Sequence, residues 1–114
     1  MKTALAQLDF HVGNFEHNIA KIIDAVEKAK ENYVQLIIFP ELAVSGYPPR
    51  DFLTYKNFIT KCNEALNEIA KHCFNITAIV GSPEINFENK GKTLFNSAFV
   101  LHNGKINTSV RKTL

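Results

Sequence analysis

The sequence predicts an α/β protein with a mixed sheet, in the order β-α-β-α-β followed by a β-hairpin. Three observations carry this class. Leu36-Ile37-Ile38-Phe39 is an unbroken apolar run of strand length, closed by Pro40, which has no N–H to give to a sheet ladder. Two stretches of helical periodicity, at about residues 15–32 and 56–72, lie on either side of that run. His102-Asn103-Gly104-Lys105 sets an Asn-Gly turn between two strand-like runs, a strong hairpin signal.

Each element has its own justification. Residues 3–10 alternate, with Ala4, Ala6, Leu8 and Phe10 on one face of a first strand. Gly13-Asn14 ends it, and Asn14 suits a helix N-cap. The first helix has Ile19, Ile22, Ile23, Val26 and Ala29 on one side and Lys21, Asp24, Lys28 and Glu31 on the other. Residues 36–39 do not alternate, so the second strand reads as buried on both faces. A strand, helix and strand of these lengths make a βαβ unit with a right-handed crossover. Residues 40–54 form a long, stiff, turn-rich loop of the kind that carries function in small domains. The second helix buries Phe58, Ile59, Cys62, Leu66 and Ile69 and turns Lys61, Glu64, Glu68 and Lys71 to water. Residues 76–81 read as the third strand and 82–92 as a polar loop, before the hairpin arms at 94–101 and 106–112.

Composition excludes several function classes. The 114 residues suffice for one domain, and 46% apolar with 21% charged residues argues against disorder. A net charge of +2 is too small to suggest a nucleic-acid or membrane partner. Apolar runs fall far short of a membrane span, and Met1 leads into strand-like sequence without a signal peptide, so a cytoplasmic protein is expected. Cys62 and Cys73 fall on one predicted helix, about 16 Å apart, too far for a disulfide. They read as buried structural thiols. His11, His17, His72 and His102 form no metal-ligand spacing with them, and neither a dinucleotide fingerprint nor a P-loop is present. The glycosylation patterns at Asn75 and Asn107 are read as chance matches.

Glu41 is the residue that points to chemistry. It follows the buried strand directly, at the carboxyl edge of an open α/β sheet where ligands usually bind. Phe39-Pro40-Glu41-Leu42 with Ser45-Gly46-Tyr47-Pro48-Pro49-Arg50-Asp51-Phe52-Leu53 resembles the first catalytic region of the nitrilase superfamily of carbon-nitrogen hydrolases. Within it, the Gly-Tyr-Pro-Pro loop is most similar to the amino-terminal glutamine amidotransferase domains of glutamine-dependent NAD synthetases. Residues 1–10 resemble the family's first strand. Residues 94–100 resemble its Leu-Tyr-Asn-Ser-Ala strand, with Phe95 in place of Tyr, and Val110-Arg111-Lys112 resembles the segment bearing its catalytic lysine. The resemblance spans the chain and implies the first half of a four-layer αββα sandwich, with sheet edges and faces left uncovered.

What the resemblance implies is a Cys-Glu-Lys triad that hydrolyses glutamine. Glu41 matches the general base that takes the thiol proton, with a pKa raised by apolar Phe39 and Leu42. Lys112 matches the lysine whose ammonium stabilises the tetrahedral intermediate. Tyr47 matches a tyrosine near bound glutamine, or else packs on Pro48 and Pro49. The strands ending at Phe39 and Lys112 are expected to be close neighbours at one carboxyl edge. The family's nucleophile follows the lysine, whereas Cys62 and Cys73 precede it, so the 114 residues alone are expected to be inactive. The family's ammonia passes to a C-terminal synthetase domain, outside these residues, that binds ATP, Mg and deamido-NAD. No cofactor is expected here, and a homo-oligomer is expected for the parent. Two other readings stand beside this one: another amidohydrolase of the superfamily, and a short non-catalytic α/β binding module.

Overall fold

Among the described residues seven elements follow in chain order: β1 (Thr3–Leu5), α1 (Phe15–Glu31), β2 (Leu36–Ile38), α2 (Phe52–Ala70), β3 (Thr77–Asn86), β4 (Thr93–His102) and β5 (Lys105–Lys112). The computed structural model describes residues 1–7, 15–40, 52–86 and 93–112, with the side chains at 15, 52–58, 85, 86, 93–96 and 112 left aside. The strands form one mixed sheet in sequence order, β1-β2-β3-β4-β5. β1, β2 and β3 pair in parallel, while β4 is antiparallel to β3 and β5 antiparallel to β4. The expected α/β class and element order hold.

Both parallel crossovers step the same way across the sheet, so right-handed connections lay α1 and α2 on one face. The core of the described residues lies there. Ile22, Val26 and Ala29 of α1 and Ile59, Cys62, Leu66 and Ile69 of α2 pack over Ile37, Phe39, Ala78, Val80, Phe99 and Leu101. The other face of the sheet keeps Leu36, Ile38 and Ile79 only half-buried and Leu5 and Val110 exposed. Among the described residues the apolar run at 36–39 is fully covered on one face, through Ile37 and Phe39, and half-covered on the other. Among the described residues nothing provides the second cover.

Local chemistry sets the ends of the elements. After α1, Tyr33 takes φ 60°, Tyr33 N donates to Lys30 O, and Val34 N donates to Ala29 O at 2.9 Å. This is a Schellman stop with tyrosine where glycine is usual. The carboxyl ends of the two helices are tied together by Lys30, whose Nζ lies 3.4 Å from Glu27 and 3.3 Å from the His72 carbonyl. The His72 ring also meets Glu27 Oε1 at 3.2 Å, which holds the Glu27 carboxyl below its usual range. Asn103 at φ 52° and Gly104 at φ 77° form the two-residue turn between β4 and β5, as the Asn-Gly pair predicts.

Three boundaries differ from the sequence reading. α2 starts at Phe52 and ends at Ala70, so Cys73 lies beyond the helix instead of on it. β1 is described only over Thr3–Leu5, with residues 8–14, Asn14 among them, outside the described residues. β3 runs on to Asn86, so residues 82–86 are strand and not polar loop. Polarity misled there: Ser82 is fully buried opposite Ser97, and Pro83 is tolerated because, among the described residues, β3 has only β4 beside it beyond the end of β2.

Candidate active site

β2, β3 and β5 point the same way, so their carboxyl ends share one edge of the sheet. At that edge the β2 ladder stops where proline requires. Among the described residues Phe39 N gives its last hydrogen bond, 2.9 Å to Ile79 O, and Phe39 itself is buried. Pro40 is exposed and has no N–H to extend the ladder. Glu41 comes next in the chain. Glu41 and Tyr47 both lie outside the described residues, as does the rest of the loop over 41–51.

Lys112 ends β5, its backbone paired opposite Asn96 of β4. The expectation that the strands ending at Phe39 and Lys112 are close neighbours is corrected, because β3 and β4 lie between them. Three strand spacings separate β2 from β5, about 14 Å. Ile38 is level with Ile79, Val100 and Thr108, so Lys112 lies about 13 Å further along the sheet than Ile38. The reason is pairing order: β3 takes the place beside β2, and each later strand adds to the newest edge. The shared carboxyl edge survives the correction, and the adjacency does not.

Beside Lys112 the sheet carries a polar array, of which Glu84 was expected in a loop and Ser97, Ser109 and Arg111 on the hairpin arms. Pairing passes from Leu101↔Ile106 to Val100↔Thr108, leaving Asn107 as an extra residue in a bulge. The bulge shifts the alternation of β5 by one, so Ser109 and Arg111 stand opposite Phe99 and Ser97. Both join the face that Glu84 of β3 occupies. The Glu84 carboxylate accepts from Ser97 Oγ at 2.6 Å and Ser109 Oγ at 3.4 Å on Oε2. It also accepts from Arg111 Nη2 at 3.1 Å and Nε at 3.4 Å on Oε1. The period-2 pattern Val80, Ser82, Glu84 was the one signal in the sequence that could have placed Glu84 on a strand.

The two cysteines lie in the core. Both are fully buried, Cys62 inside α2 and Cys73 just after it. Burial pushes the Cys73 thiol up to about 11, and its Sγ donates to Ile69 O at 3.5 Å. A thiol held protonated in an apolar setting is inert at neutral pH. Among the described residues no group of three His, Cys, Asp or Glu could hold a metal ion, and no helix is long and apolar enough to cross a membrane.

The family model for carbon-nitrogen hydrolase matches residues 2–114, almost the entire chain. The chain belongs to the carbon-nitrogen hydrolase family. Among curated members, it is 38% identical over 113 residues to the glutamine-dependent NAD(+) synthetase of Xanthomonas campestris, covering 98% of this chain and 20% of that one. The corresponding Aquifex aeolicus protein is 37% identical over 93% of the chain. The solved glutamine-dependent NAD+ synthetase of Acinetobacter baumannii superposes with a TM-score of 0.84 at 31% identity, over 98% of this chain and 20% of that one. An amidase from Nesterenkonia sp. AN1 superposes with a TM-score of 0.73 at 24% identity, over 100% of this chain and 44% of that one, a likeness in fold alone. This carbon-nitrogen hydrolase chain thus spans about a fifth of the length of the curated relatives it matches.

Proposed function

We propose that the chain is the amino-terminal part of the glutamine-hydrolysing domain of a glutamine-dependent NAD synthetase. The observation that carries this reading is similarity to such synthetases along 98% of the chain, with the same fold. In the complete domain, Glu41 takes the proton from a cysteine thiol, and the thiolate attacks the carboxamide carbon of glutamine. Lys112 stabilises the oxyanion of the tetrahedral intermediate with its ammonium. Ammonia leaves, and water releases glutamate from the resulting thioester. Tyr47 lines the glutamine pocket.

The nucleophile is neither Cys62 nor Cys73, both buried in the core. It belongs to sequence beyond these 114 residues, and the chain alone does not hydrolyse glutamine. Ammonia passes to a synthetase domain that binds ATP, Mg and deamido-NAD, with none of these held by this chain. The test is NAD formation by the full-length protein from deamido-NAD and ATP, supplied with glutamine or with ammonium. Synthesis from both nitrogen sources, with glutamate released only from glutamine, is expected. Glutamine hydrolysis without NAD formation would overturn the synthetase reading and leave a simple amidohydrolase.

A further inference from the structure

Among the described residues β5 is the edge strand of the sheet, with backbone partners in β4 alone, and Lys112 is its last residue. The ends of edge strands fray unless something ties them down. Here the tie comes from two strands away. The Glu84 side chain on β3 is only 20% exposed and reaches across β4 to Arg111, the residue directly before Lys112. Ser97, 4% exposed and bonded to Oε2 at 2.6 Å, fixes the carboxylate from the intervening strand. Ser109 adds a second β5 contact to the same oxygen. One carboxylate therefore gathers donors from β4 and from two places on β5, and the guanidinium bonds are charge-assisted, the stronger class. The bulge at Asn107 makes this possible, since without it Arg111 would stand on the opposite face.

We propose that Glu84 is a positioning residue for Lys112: by gripping Arg111 it fixes the backbone from which the lysine ammonium is presented to the reacting carboxamide. The inference rests on the reading of Lys112 given above. Its physical basis is the tolerance of catalysis to misplacement, where an error of about 1 Å can cost about 100-fold in rate. Glu84 touches no reacting atom, so its effect is on turnover through Lys112 and not on glutamine affinity.

The experiment compares Glu84→Gln, Glu84→Ala, Arg111→Ala, Arg111→Lys and Lys112→Ala in the full-length protein. Glutamine hydrolysis (kcat and KM), ammonia-dependent NAD synthesis and thermal midpoint are measured for each. Glu84→Gln keeps shape and serine contacts while removing the charge that holds Arg111, so it stays informative should Glu84→Ala fail to fold. Both Glu84 variants and Arg111→Ala should lose at least tenfold in kcat for glutamine, with KM and ammonia-dependent synthesis within twofold of wild type. Arg111→Lys should recover most of the turnover. A kcat within twofold of wild type in Glu84→Gln, beside a Lys112→Ala that is inactive with glutamine, would overturn the positioning role alone. So would parallel losses of kcat, ammonia-dependent synthesis and thermal midpoint, the mark of a merely structural residue. Full glutamine hydrolysis by Lys112→Ala would overturn the reading of Lys112 and this inference with it.

Discussion

Gly104 lies against the ring of Phe74: a Cβ at position 104 would stand 2.6 Å from Phe74 Cζ. Gly104 N also donates to Cys73 O at 3.3 Å, so the hairpin tip is seated on the segment that follows α2. Gly104→Ala should therefore displace the exposed Phe74 ring and destabilise the protein, chiefly through its φ of +77°. A loss of about 1–2 kcal/mol is expected in urea unfolding.

Tyr33 holds a left-handed conformation with its side chain 85% exposed. It takes the strain of the Schellman stop while burying little in return. Tyr33→Gly should raise stability by about 0.5–1 kcal/mol, since the relief of a left-handed residue exceeds the entropy cost of glycine. A lower urea midpoint would mean that the exposed ring contributes packing after all.

Cys73 makes stability depend on alkaline pH. Its thiol titrates near 11 in the folded chain against 9.0 as a free thiol, so between those values only the unfolded state releases the proton. Unfolding is then favoured, and stability falls as pH rises from 9 to 11, by about 3 kcal/mol at full extent. Urea midpoints at pH 8 and 10.5 should converge for Cys73→Ala more closely than for wild type. An equal alkaline loss in both would assign it to other groups.

In the full-length protein, Glu41→Gln and Lys112→Ala should each lower glutamine-dependent NAD synthesis by about 100-fold or more. Ammonia-dependent synthesis should be preserved, because neither residue acts in the synthetase step. Equal loss of both activities would assign the two side chains to the fold.

Tyr47→Ala separates its two roles. A pocket residue predicts a KM for glutamine raised about tenfold with little change in thermal midpoint. A residue packed on Pro48 and Pro49 predicts a lower midpoint with KM unchanged.

Much of the fold was legible because local rules act on short stretches. The Ile22, Val26, Ala29 stripe, the proline stop at Pro40 and the Asn-Gly turn each specify an element without help from distant residues. Family membership was legible in the same way, from a few contiguous motifs around Glu41, Phe95 and Lys112. Where local polarity and tertiary pairing disagreed, the sequence misled: Ser82, Pro83 and Glu84 look like loop but lie in β3.

The sequence by itself determined which residues are apolar and at what period, and hence the helices, the strand at 36–38 and the hairpin turn. Only the tertiary structure decided that β3 and β4 stand between β2 and β5. It alone decided too that a bulge at Asn107 brings Arg111 onto the face of Glu84. The physical reason is range. Periodicity and turn chemistry are set by neighbours a few residues away, whereas strand order and register are chosen by the whole sheet as it buries one face against two helices.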